Sequence, residues 1–181
     1  MNMGLVMILL MITVTPVIIM VYIMSVSEAA GFLEGRGQTS LGVMLGLQGN
    51  AKGKILQILS KKFALRVINY FFQGGLEEID ELDEMSFSVL QEIGNITSGA
   101  YCNSLASMTG LFIDISTPTH CKNMRADIGL HELSPEDKII LISNKFFIDD
   151  EEVSNDFLFM PDEGTTEQVL EKLKEYYGYK S

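Results

Sequence analysis

Residues 1–27 carry no charged side chain; Glu28 is the first. The run Leu5 to Met24 is long enough to cross a bilayer. No Lys or Arg precedes it, as a secretory signal requires, and no basic cluster follows; Glu28 and Glu34 come before Arg36. Pro16 stands in the middle of the run, among Ile12, Thr13, Val14, Thr15, Val17, Ile18 and Ile19. Proline inside a helix costs about 3 kcal/mol, and β-branched runs favour strands. The stretch therefore reads as two buried strands, about 6–15 and 17–25, bent at Pro16. A membrane-anchored protein with a cytosolic domain is the competing reading, and recovery without detergent would exclude it.

The chain has 181 residues, 47% of them apolar and 20% charged. One domain with a real core fits these values, and global disorder does not. Thirteen Lys and Arg against 24 Asp and Glu give a net charge of −11. Nucleic acid and an anionic membrane surface both need a basic face, so neither is an expected partner. Cys102 and Cys121 lie far apart and form no CxxC. They cannot make a zinc site alone, and two thiols in a core-forming chain suit a reducing, cytoplasmic compartment.

Residues 25–39 read as a polar connection. Residues 40–48 and 54–59 are apolar and read as paired strands, joined through Gln48-Gly49-Asn50-Ala51-Lys52-Gly53 as a hairpin. That turn is no phosphate loop: its glycine spacing is one residue short, and Ile55 follows Lys54 where Ser or Thr is needed for magnesium. Residues 61–73 form an amphipathic helix with Phe63, Val67, Ile68 and Phe71 on one side, ended by Gly74-Gly75. A longer helix is expected from Asp83 to Thr109, stopping at Gly110. The acidic residues before it (Glu77, Glu78, Asp80, Glu81, Asp83, Glu84) suit the positive end of a helix dipole. Strands near 111–116, 138–148 and 153–160 and a helix over 164–176 complete the chain.

A weak internal repeat runs at an offset of 102 residues. Met11–Pro16 lies over Ile113–Pro118, and residues 55–72 lie over 157–174 without a gap. Leu56 then matches Leu158, and Val67 matches Val169. On this reading the helix 83–109 should have a counterpart ending near residue 7, and the chain starts too late to contain it.

Most catalytic patterns are absent: no HExxH, no GxSxG, no Cys/His nucleophile spacing, and His120 and His131 are isolated. What remains is the segment Ser86 to Ala100. At about 100° per residue, Ser88, Glu92, Asn95 and Gly99 fall within an arc of roughly 60°. Met85, Val89, Ile93, Ile96 and Ala100 form the adjoining apolar stripe. A carboxylate and a carboxamide thus project one turn apart. Gly94 and Gly99 each cost about 1 kcal/mol in a helix relative to Ala, which points to close approach of another element or a partner. A polar helix face with packing glycines explains the same residues without chemistry.

The wider pattern Ser88-x3-Glu92-x2-Asn95-x22-Pro118 resembles the signature of the CheC/CheX/FliY family of chemotaxis phosphatases. Its surroundings, Leu90-Gln-Glu-Ile-Gly-Asn-Ile-Thr-Ser-Gly-Ala-Tyr and Leu105-Ala-Ser-Met-Thr-Gly-Leu, resemble the second half of CheC. Phe157-Leu158-Phe159-Met160-Pro161-Asp162 resembles its closing strands. The resemblance implies an α/β fold in two layers: a largely antiparallel sheet from two pseudo-symmetric halves, with helices packed on one side. It implies hydrolysis of the aspartyl phosphate of the response regulator CheY. Glu92 would pair with the regulator's active-site lysine, and Asn95 would orient the attacking water. Ser88, Gly99 and Pro118 would be supporting positions. The chain would need no cofactor of its own, because the magnesium belongs to CheY.

CheC usually carries two such motifs, each leading to a proline. Here Pro16 has no Glu-x2-Asn before it. Residues 1–75 are therefore expected to be an incomplete first half and 76–181 the half that carries the motif. Either the chain is a single-site variant, closer in that respect to CheX, or it is a CheC shortened at its N-terminus; in the second case an uncovered Leu5–Met24 would promote association, and a homodimer or aggregation would follow. The rival reading is a non-catalytic interaction module that binds CheD, the receptor deamidase, or flagellar-switch components.

Overall fold

A computed structural model describes residues 18–37, 39–74, 79, 82–135, 137–148, 150–162 and 164–176. Among the described residues seven strands make one antiparallel sheet in the order β1-β6-β7-β3-β2-β4, with β5 beside β4 on β2. They are β1 (Ile18–Ser25), β2 (Ser40–Gly49), β3 (Gly53–Ser60), β4 (Ile113–Ile115), β5 (Thr119–Cys121), β6 (Lys138–Ile148) and β7 (Glu151–Pro161). The helices are α1 (Val26–Arg36), α2 (Lys61–Phe72), α3 (Glu84–Thr109), α4 (Met124–Asp127) and α5 (Thr165–Tyr176), with a 3-10 turn at Leu130–Glu132. No helix among the described residues is long and apolar enough to cross a membrane.

The central strands β3 and β7 are buried without alternation because both their faces are covered, and the polar Gln57, Ser154, Asn155 and Asp156 are buried with the apolar residues. Ile55 and Leu59 join one buried cluster with Phe63, Val67, Leu90, Ile93 and Val169, under α2, α3 and α5. Leu56 and Ile58 point the other way and join Val26, Ala29, Leu33, Met124 and Leu130. The three longest helical packings lie on one side, as expected. The expectation that all helices share that side is corrected: α1, α4 and the 3-10 turn cover the opposite face. The cause is local. Residues 25–39 are mostly a helix and not a polar connection, started by a capping box in which Ser25 Oγ accepts from Glu28 N (3.3 Å) and Ser25 N donates to Glu28 Oε2 (2.7 Å).

The β2–β3 hairpin is the turn expected from its glycines. Gly49 (φ 98°) and Gly53 (φ 141°) occupy left-handed conformations, where an added Cβ would strike the Phe112 and Met160 carbonyl oxygens respectively. Asn50 clamps this turn to the start of β4: Asn50 N donates to Phe112 O (2.7 Å) and Phe112 N to Asn50 Oδ1 (3.0 Å).

The repeat is visible in the sheet. Leu56 pairs with Leu158, while Ile55 pairs with Phe159 and Gln57 with Phe157, so a pseudo-two-fold axis passes through the Leu56/Leu158 pair. Strands β3 and β7 exchange about that axis at the offset of 102 read from sequence. Further out the offset changes. Leu141 pairs with Leu158 and Tyr22, as Met44 pairs with Leu56 and Thr119. Residue 22 thus stands where residue 119 does, and the offset there is 97. The register therefore sets residue 118 over residue 21, not over residue 16. Pro16 itself and the expected strand 6–15 lie outside the described residues.

Candidate functional site

Helix α3 begins and ends where its sequence says it should. Asp83 is the N-cap, its Oδ1 accepting from Ser86 N at 2.7 Å. That backbone donor holds the Asp83 carboxyl below its ordinary pKa. Gly110 (φ 69°) is the left-handed C-cap, donating its N–H to Ala106 O at 2.8 Å. Of the acidic residues ahead of the helix, Glu77, Glu78, Asp80 and Glu81 lie outside the described residues.

The face that α3 buries differs from the apolar stripe expected. Ser86, Leu90, Ile93, Gly94, Ser98 and Cys102 face the sheet, whereas Met85 is 65% exposed and Ala100 is exposed. Val89 and Ile96 lie half-buried at the border. The small Ser86, Gly94 and Ser98 share this face with the large Leu90 and Ile93, and at Gly94 the helix lies close to the strands. A Cβ on Gly94 would come within 3.1 Å of Gln57 Oε1 and 3.3 Å of Val43 Cγ1. Gly94 thus meets the close approach that its helix cost implied. Gly99 does not: a Cβ there would make only an ordinary 3.9 Å contact with Ile115 Cδ1.

A chain of polar contacts ties this helix down. Gln91 Nε2 donates to Pro118 O (2.6 Å). Thr97 Oγ1 donates to Ile93 O (2.7 Å) and accepts from Gln57 Nε2 (3.1 Å), which also donates to Asn155 Oδ1 (2.8 Å). Asn144 Nδ2 donates to Asn155 O (2.8 Å), and Tyr101 OH donates to Asn144 Oδ1 (2.8 Å). Gln57 is fully buried, and Asn144 and Asn155 nearly so. At the start of α3 the ring of Phe87 lies on His120, centroids 5.0 Å apart. Burial, with Lys122 nearby, pushes the His120 pKa below its ordinary value.

On the opposite, outward face stand Ser88, Glu92 and Asn95, all exposed. None of the three side chains makes a hydrogen bond or ion pair with another described residue, so their polar groups face solvent with capacity to spare. Gly99 continues the same strip and is half-buried. Pro118 is buried behind the helix, in the loop between β4 and β5, where its carbonyl holds Gln91. The structure thus brings Ser88, Glu92, Asn95 and Gly99 to one surface and sets Pro118 beneath it. Gln57, Gln91 and Thr97 went unnoticed in the sequence. A signal existed for Gln57: it is the only uncharged polar residue between Lys54 and Leu59 in an otherwise apolar strand.

Among the described residues Ser88, Glu92 and Asn95 stand on an exposed surface. A cleft of about 710 Å³ lies nearby, lined by Leu33, Lys61, Leu82, His120 and Lys122 among others, and it does not include Glu92 or Asn95. Among the described residues no group of three or more His, Cys, Asp or Glu side chains could hold a metal ion. Such a surface can present an acid and an amide to another macromolecule.

The model of the CheC-like family matches residues 85–121, the span from the first turn of α3 through β5. The CheY-P phosphatase CheX of Thermotoga maritima is 34% identical over 80 residues, which cover 44% of this chain and 50% of that protein. The putative CheY-P phosphatase CheC1 of Halobacterium salinarum is 30% identical over 95 residues, covering 52% of this chain and 49% of that protein. The CheY-P phosphatase CheC of Bacillus subtilis is 26% identical over 156 residues, covering 82% and 75%. The chain thus spans about half the length of the first two relatives. In fold, it is similar to Thermotoga maritima FliY, with a TM-score of 0.66 and 16% identity over 96% of this chain and 89% of that one. It is similar also to the FliM–SpeE complex structure from H. pylori, with a TM-score of 0.70 and 12% identity over 97% and 88%. These findings bear out the resemblance to the CheC/CheX/FliY family.

Proposed function

Starting from that family resemblance, we propose that the chain dephosphorylates the aspartyl phosphate of a CheY-type response regulator. One observation carries the reading: Glu92 and Asn95 stand exposed, one turn apart, on a helix whose other face is fastened to the sheet. A carboxamide can donate to and accept from one water molecule without being titrated. Asn95 enters the regulator's pocket and orients that water in line with the phosphoryl group. The water oxygen bonds to phosphorus as the phosphorus–oxygen bond to the aspartate breaks, releasing the carboxylate and inorganic phosphate. Glu92 pairs with the regulator's lysine and sets the register of docking. The magnesium ion and the phosphoaspartate are the regulator's, so this chain supplies position and not charge neutralisation. A cytoplasmic location goes with such a partner.

The test is the decay of purified phosphorylated CheY. Asn95→Ala is expected to lower the acceleration on the order of 10²-fold, and Glu92→Ala to weaken binding of the regulator. An unchanged rate in Asn95→Ala rejects the catalytic assignment. The second reading, a non-catalytic module that binds CheD or flagellar-switch components, is favoured by the FliY and FliM likeness in fold. A parent chain that binds CheY without hastening decay supports it.

A further inference from the structure

We propose that Gln57 is the positioning residue for Asn95, acting through Thr97 to hold the middle of α3 at one height and rotation above the sheet. The inference deepens the phosphatase reading in its rate prediction and stands apart from it in its structural one.

The orientation of the Gln57 amide follows from its neighbours. The Thr97 hydroxyl has a single hydrogen, and Ile93 O takes it at 2.7 Å. Toward Gln57 it can only accept. Asn155 Oδ1 is an acceptor as well. Both contacts therefore demand the amide nitrogen, and the two hydrogens of Nε2 are both used. This leaves Gln57 Oε1 buried and without a hydrogen-bond partner. It lies at the place where Gly94 has no Cβ.

An orphaned carbonyl oxygen lowers stability, and a leucine of similar size would remove it only by stripping Asn155 Oδ1 and Thr97 Oγ1 of their donor. What the glutamine supplies is direction. Its bond reaches the turn of α3 that spans Ile93 to Thr97, and Asn95 sits at the centre of that turn, on the far side. Gly94 brings the helix down onto the amide; Thr97 fixes its rotation. Gln91 on Pro118 O and Tyr101 on Asn144 secure the turns before and after. A rotation of the helix by one residue, about 100°, would take Asn95 out of line with any water it must hold.

The experiment compares Gln57→Leu and Thr97→Val with the parent and with Thr97→Ser, which keeps the hydroxyl. Amide hydrogen exchange over Ile93–Ser98 is expected to quicken at least about fivefold in the first two, while β6 and β7 keep parent rates. Thr97→Ser is expected to stay at the parent rate. With phosphorylated CheY, kcat is expected to fall about tenfold at unchanged KM, and Gln57→Leu to add no further loss to Asn95→Ala. Parent-like exchange in Gln57→Leu overturns the proposal whatever the activity. An equal further loss of rate in the Asn95→Ala background overturns it too, because the damage would then be general. A parent chain inert toward phosphorylated CheY refutes the phosphatase reading alone; the exchange rates still decide the role of Gln57.

Discussion

The two halves of the sheet are built alike and finished differently. About the Leu56/Leu158 axis, β4 and β5 lie along β2 as β1 lies along β6. Over β4 and β2 runs α3, and Ile113 there is only 7% exposed. On β1, Val21 and Ile23 remain 63% and 62% exposed, paired with the half-buried Ile142 and Ile140. The sheet thus tolerates one apolar edge that described residues leave open. Among them, what distinguishes the other edge is the helix that presents Glu92 and Asn95. Packing symmetry and chemical asymmetry coexist because the shared core lies in β3 and β7, away from both edges.

Four measurements sharpen or break this comparison. Leu56→Ala and Leu158→Ala, both fully buried on the axis, should each destabilise by about 2–5 kcal/mol, and by nearly equal amounts; chemical denaturation checks it, and a small effect at one site would break the symmetry. The first half is also tied to the second by Arg36 of α1, 3.0 Å from the fully buried Asp156 on β7, which Ser143 Oγ also reaches at 2.8 Å. Arg36→Met should cost about 1–3 kcal/mol at neutral pH. Burial already raises the Asp156 pKa. A raised pKa means the folded state holds its proton more tightly, so stability from this group is greatest below the ordinary carboxylate value and declines as pH rises through the folded value. The Arg36→Met penalty should therefore shrink as pH is lowered; a penalty that grows in acid would refute the assignment.

Smaller effects separate the two glycines of α3. Gly94→Ala should destabilise by about 1–2 kcal/mol, because overpacking against Gln57 and Val43 outweighs the gain in helix propensity. Gly99→Ala should stabilise by about 0.5–1 kcal/mol, since nothing crowds it. Thermal melts of the pair decide whether one glycine serves the fold while the other does not. The smallest change belongs to the open edge: Ile23→Thr should alter stability by less than about 0.5 kcal/mol. A larger loss would mean that this face is covered in solution.

Helix α3 was legible from end to end because its caps, Asp83 and Gly110, are local signals. The hairpin was legible for the same reason. The α1 helix was missed, although Ser25 and Glu28 announce it, because Gly31 and Gly35 lower its propensity and its gain is tertiary: Ala29 and Leu33 are buried on the far face of the sheet. The buried side of α3 was misread toward its larger residues, since only the strands reveal that Gly94 and Ser98 are what fits. Spacing alone also misleads. Glu152 and Asn155 repeat the Glu-x2-Asn interval on β7, yet there the acid pairs with Lys145 on the surface while the amide is buried against Gln57. The interval places two side chains together only where the backbone is helical.

Cys102 lies in the cluster under α3, and Cys121 in the cluster on the opposite face. Burial drives both thiols up, to about 11 and about 12. A thiolate is what alkylating reagents attack, so the folded chain should resist them and each sulfur should react only when its own layer opens. The molecule therefore carries a built-in pair of clocks: labelling one cysteine times the loosening of the motif helix, and labelling the other times the loosening of the reverse side.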